Sequence, residues 1–79
     1  MDDKKRISES DVHAALACIV MNADVKALNY AVNYARIGMI LTGHDLEVQV
    51  LYVLNNISYW RGDDAKSVRK VLKAFVKGV

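Results

Sequence analysis

All-α is the fold class this sequence predicts, a compact bundle of four short helices, and three observations predict it. Four segments, about 9 to 21, 25 to 41, 45 to 60 and 64 to 77, carry apolar residues at the three- and four-residue spacing of a helix face. Between them lie short turn-forming stretches, Asn22-Ala23-Asp24, Thr42-Gly43-His44 and Arg61-Gly62-Asp63, which favour antiparallel neighbours. The one strand-like alternation, Leu46-Glu47-Val48-Gln49-Val50, breaks off at once. No second alternating segment exists to pair with it, and an isolated strand leaves its backbone groups unsatisfied.

Residues 1 to 7, with Asp2, Asp3, Lys4, Lys5 and Arg6, have almost nothing to bury and read as a mobile charged tail. Residues 8 to 79 then form a single helical domain. The first helix opens at Ser8-Glu9-Ser10-Asp11, where an acid three positions after Ser8 resembles a capping box. Val12, Leu16, Ile19, Val20 and Ala23 make its core stripe. His13 lies on another face and is expected to meet solvent, while Cys18, among Ala15, Leu16, Ala17, Ile19 and Val20, reads as a small buried hydrophobe.

Asp24 is placed to cap the second helix, Val25 to about Leu41, which carries two apolar stripes. Val25, Leu28, Val32, Ala35 and Met39 make one; Ala27, Tyr30, Tyr34, Ile37 and Leu41 make the other, so burial over a wide arc is expected. Lys26, Asn29, Asn33 and Arg36 form the polar line between. Ala27, Ala31, Ala35 and Gly38 are small enough to let a neighbouring helix approach closely. Gly43 marks the next stop and His44 the turn.

In the third helix, capped by Asp45, the apolar stripe is Leu46, Val50, Val53, Leu54 and Ile57. Beside it runs a polar-aromatic strip, Gln49, Tyr52, Asn56 and Tyr59, and Gly62 suits the left-handed conformation that ends a helix. The fourth helix, Asp64 to about Lys77, is amphipathic: Val68, Val71, Leu72, Phe75 and Val76 face inward, and Lys66, Arg69, Lys70, Lys73 and Lys77 make the opposite face.

With 79 residues the chain makes one domain, and a monomer of that size buries only about 60 to 65% of the surface its unfolded chain exposes. Yet 53% of its residues are apolar, above the usual figure of about 45 to 50%. Self-association into a homo-oligomer is the simplest sink for the surplus. A membrane is not: the longest apolar run, Ala14 to Met21, falls far short of the ~20 residues a span needs. A lone cysteine and no secretory signal point to an intracellular, cytoplasmic protein. The formal charge of +2 is too small to announce a nucleic-acid partner by itself.

No phosphate loop, paired cysteines, His-Glu-x-x-His pattern or Ser-His-Asp constellation occurs, so neither enzyme chemistry nor a cofactor is expected. His13 and Cys18 are not at the i, i+4 spacing that brings two ligands together on a helix, and no metal site is expected. The Arg61-Gly62-Asp63 tripeptide, though it matches an adhesion motif, is explained by turn chemistry.

What remains is binding. Tyr52, Asn56, Tyr59, Trp60 and Arg61 supply the residue types that dominate interface energies and are the first candidate partner surface. Asn29, Asn33 and Arg36 are a second, and the basic face of Lys66, Arg69, Lys70, Lys73 and Lys77 is a candidate for anions. The expected function is a small non-enzymatic protein that works through protein-protein interaction. The alternatives are a nucleic-acid binder using the basic last helix and an oligomeric sponge for an anionic nucleotide, held by Arg36 or Arg61 beside Tyr or Trp.

From Leu28 to Phe75, carried by LNYAVNYARIGMILTG, QVLYVLNNISYWRG and AKSVRKVLKAF, the chain resembles small all-helical proteins encoded by bacteriophages and prophages. The resemblance implies a context rather than a residue's role: such proteins often act by binding, as regulators or as inhibitors of a host defence system. An unidentified host protein is the partner this implies.

Overall fold

A capping box starts the first helix, as the Ser8 to Asp11 spacing predicts. In the computed structural model, which describes residues 7 to 77, Ser8 Oγ accepts a hydrogen bond from the Asp11 amide at 3.1 Å. The Asp11 carboxylate accepts one from the Ser8 amide at 3.2 Å, so two amides that a helix start leaves orphaned are satisfied. Helix α1 runs Glu9–Met21 and buries Val12, Ala15, Leu16 and Ile19. Asn22 closes it, Nδ2 donating to the Cys18 carbonyl at 2.8 Å. Most of the expected charged tail lies outside the described residues, but Ile7 is half-buried and packs on the core.

The second helix is shorter than its stripes predict, and Asp24 does not cap it. A 3₁₀ turn, Lys26–Leu28, comes first, preceded by Val25 with no side-chain cap. Helix α2 is Asn29–Gly38. Three-residue hydrogen bonds, Val25 N–H to Asn22 O and Leu28 N–H to Val25 O at 2.9 Å each, turn the chain tightly. That turn drops Leu28 into the core, where it is fully buried. Similar bonds at the far end, Ile40 N–H to Ile37 O and Leu41 N–H to Gly38 O, unwind the chain past Gly38.

Helix α3, Gly43–Asn55, begins ahead of the expected Asp45 cap and ends short of the expected Trp60. Thr42 precedes it without a side-chain cap. The Glu9 carboxylate of α1 does that work, accepting from the Gly43 amide at 2.8 Å. Gly43 sits at φ +59°, where a side chain would be strained. Asp45 lies in the first turn, favourably placed for the helix dipole. At the other end Asn56 Nδ2 donates to the Tyr52 carbonyl at 2.8 Å, the local competition by which asparagine stops a helix. The chain then turns, burying Ile57 and Trp60. Gly62, with φ +112°, stands before the last helix rather than at the end of the third. Helix α4, Asp63–Lys77, buries Ala65, Val68 and Leu72 and half-buries Val71, Phe75 and Val76.

Each helix packs on its chain neighbours, and α4 closes the ring against α1. Sixteen apolar side chains from all four helices and the turns fill the centre, with no buried polar or charged side chain among the described residues. The small-residue line of α2 is used at Ala31, Ala35 and Gly38, while Ala27 lies before the helix and is exposed. Ala31 and Ala35 are fully buried, and a Cβ at Gly38 would come within 2.7 Å of Leu16 Cδ1. The radius of gyration, 11.6 Å, is what a compact chain of this length has, about 12 Å. The described residues are all-helical, without a strand, and no helix among them is long and apolar enough to cross a membrane.

Candidate interaction surfaces

A ring of four helices covers two flanks of each helix and leaves one arc of each open, so what lies on the open arcs is what the molecule presents. On α2 the buried residues are Ala31, Val32, Ala35 and Gly38. This leaves the middle of its second apolar stripe uncovered, with Tyr30 76% exposed, Tyr34 37% and Ile37 49%, while Leu41 beyond the helix end packs on the core. The expectation of burial over a wide arc is thereby corrected for this stripe. On α3, Leu46, Val50 and Val53 turn inward, and Val48, Leu51 and Tyr52 remain 36%, 49% and 50% exposed.

The two rows meet. Tyr34 and Tyr52 stack with ring centroids 5.8 Å apart and planes 29° from parallel, a favourable offset geometry. Gln49 Nε2 donates to the Tyr34 carbonyl at 3.0 Å, tying α3 to α2. The result is an aromatic-aliphatic face of Tyr30, Tyr34, Ile37, Val48, Leu51 and Tyr52. No Lys, Arg, Asp or Glu occurs from Ala27 to Ala35 or from Val48 to Trp60, so the face is uncharged across its centre, with Arg36 beside Ile37 and Glu47 beside Val48 at its edges.

The first candidate strip does not hold together as one surface. Tyr52 belongs to the face just described, and Asn56, half-buried, is spent on closing α3. Trp60 is 4% exposed and is a core residue, because the turn after Asn56 folds it under the bundle instead of leaving it on a continued helix. Tyr59, 83% exposed, and Arg61, also exposed, stand at the end of the molecule. There they line an open cleft of about 540 Å³ with Asn22, Val25 and Ala27. Asp63 and Asp64 line the same cleft, and their carboxylates offset the attraction that Arg61 would hold for an anionic nucleotide.

Asn29, Asn33 and Arg36 are exposed together on the outer arc of α2, at the flank of the face away from α3. The basic face of α4 divides. Lys66, Lys70, Lys73 and Lys77 are exposed. Arg69 is not available with them: its Nη1 donates to the carbonyls of Ile57 at 3.0 Å and Trp60 at 2.9 Å, bracing the turn that buries both residues.

His13, expected in solvent, is half-buried, with Nε2 2.9 Å from the Leu41 carbonyl, a group left free where the chain unwinds after α2. His44 is exposed, Nδ1 lying 3.4 Å from Glu47 Oε1. Cys18 is half-buried rather than enclosed and lines a shallow groove of about 320 Å³ between α1 and α4, with Ala14, Val71 and Asp64. Burial, and secondarily the charge of Asp64, push its thiol pKa up. It therefore stays protonated at neutral pH and is a poor nucleophile. No cluster of His, Cys, Asp or Glu among the described residues is arranged to hold a metal ion.

The sequence held two signals for the α2–α3 face, the doubled stripe on the second helix and Tyr52 in the polar-aromatic strip of the third. Val48 and Leu51 gave none, since each reads equally well as the edge of a buried helix. The chain matches no family model, and neither a curated protein nor a solved structure is similar to it.

Proposed function

We propose that this is a non-enzymatic binding protein that acts through protein-protein contact, with the α2–α3 face as its contact surface. One observation carries the reading: six large apolar or aromatic side chains, centred on the Tyr34–Tyr52 stack, lie open side by side on two adjacent helices. Contiguous exposed patches of that kind on a small protein mark interaction sites. Tyrosine suits such a site, supplying contact area at low entropic cost with a hydroxyl at the rim. On the resemblance to small phage-encoded helical proteins, a protein recognised there would be a regulatory or defence protein of a bacterial host.

A photo-crosslinking phenylalanine analogue placed at Tyr30 and, as a control, at Lys70, tests the reading in cells that express the protein. A discrete heavier adduct from position 30 and none from position 70 is the expected result. Adducts from position 70 alone would transfer the function to α4.

The exposed lysines of α4 support a second reading, contact with a nucleic acid. None of Lys66, Lys70, Lys73 and Lys77 makes an ion pair among the described residues. Affinity for a mixed-sequence duplex that falls steeply with salt would favour it. Loss of Arg69 from that face leaves it four separated lysines, without the planar donor that best engages phosphate.

A further inference from the structure

We infer that the occupant of the α2–α3 face is the same face of a second copy, so that the protein is a two-fold dimer. This rests on the reading of that face as a contact surface and names what covers it.

Area is the first argument. With Tyr30, Tyr34 and Tyr52 at 76%, 37% and 50% exposure and Ile37, Val48 and Leu51 at 49%, 36% and 49%, the six side chains present on the order of 500 Å². That is near the upper end of the largest patch on a typical monomer, about 300 to 600 Å². Flanking Asn33, Asn55 and Ile40, all exposed, extend it toward the roughly 800 Å² per partner of a standard interface.

Charge is the second argument. A two-fold contact sets a surface against itself, so any net charge on it repels its own copy. The α2–α3 face carries none across its centre. The α4 face, with four exposed lysines, is by contrast self-repelling, and the end cleft keeps one unbalanced acid, with Asp63 and Asp64 against a single Arg61.

The flanks add direction. Arg36 lies on the outer flank of α2 and Glu47 on the outer flank of α3, by their three- and four-residue offsets from the buried stripes. A two-fold axis running along the helices sets α2 over α3 of the second copy. Each Arg36 then approaches the Glu47 of the second copy.

Sedimentation equilibrium of the full chain from about 1 to about 100 μM tests the inference. The expected result is a mass near twice 8.8 kDa, reached within that range. Tyr30→Glu and Val48→Lys, both at exposed positions, should each weaken association by roughly tenfold or more without loss of helical circular dichroism. Arg36→Glu should weaken it several-fold, and the added Glu47→Arg change should recover it.

A monomer throughout the range overturns the dimer, as does a dimer indifferent to both face substitutions. If the protein is monomeric while the crosslinker at Tyr30 still yields an adduct to another protein, the second copy is the wrong occupant and the contact reading stands. Monomer and no adduct remove both.

Discussion

Glu9 does for α3 what no residue of α3 does for itself. Its carboxylate reaches across from the start of α1 to accept the Gly43 amide, so the first residue of one helix caps another. Helix capping is worth about 1 kcal/mol where the cap is exposed. Glu9→Ala is therefore expected to lower the free energy of unfolding by about 1 kcal/mol, and Glu9→Gln, which keeps an acceptor, by less. Urea denaturation followed by circular dichroism reads both, and equal stability of Glu9→Ala and the parent chain would refute the cap. Contacts like this are invisible in the sequence because they join residues far apart: nothing near Gly43 announces Glu9, and nothing near His13 announces the Leu41 carbonyl.

At the scale of the element, α4 shows how one helix face can hold two kinds of cation. Lys66, Lys70, Lys73 and Lys77 reach solvent, while Arg69, one position from Lys70, is turned into the bundle to hold the Ile57 and Trp60 carbonyls. Replacing all four lysines with glutamine should change stability by less than about 1 kcal/mol, since exposed charges contribute little. Arg69→Lys should cost about 1 to 2 kcal/mol, because an ammonium on a single stem cannot reproduce the planar guanidinium's contact with two carbonyls. Thermal unfolding of the two variants side by side distinguishes the roles. If the quadruple variant were the less stable of the two, the assignment of Arg69 would fail. The limits of α1 and α4 were legible in the sequence because local signals set them: a capping box for one, acids at the start and an unbroken amphipathic stripe for the other. The start of α2 and the end of α3 were not. There tertiary packing prevails over local pattern, with Leu28 pulled inward by a 3₁₀ turn and Ile57 and Trp60 by the bend that follows Asn56.

At the scale of the molecule, the four-helix architecture and most of its core were readable from the apolar spacing, and so was an apolar surplus that the chain cannot bury alone. Where that surplus would emerge was not readable. Both stripes of α2 have helical spacing, and only the ring order decides that Val32 and Ala35 turn in while Tyr30 and Ile37 turn out. The same order divides the expected aromatic strip, giving Tyr52 to the α2–α3 face, Trp60 to the core and Tyr59 to the end cleft. Pairing of two copies through α2 and α3 is the proposal that ties the exposed apolar surplus to an assembly. The most direct test is a dilution series of amide nuclear magnetic resonance spectra on the uniformly labelled chain. Concentration-dependent shifts are expected at Tyr30, Tyr34, Ile37, Val48, Leu51 and Tyr52, with the α4 lysines unmoved. Shifts gathered on α4 or around Tyr59 and Arg61, or spectra that do not change with concentration, would contradict it.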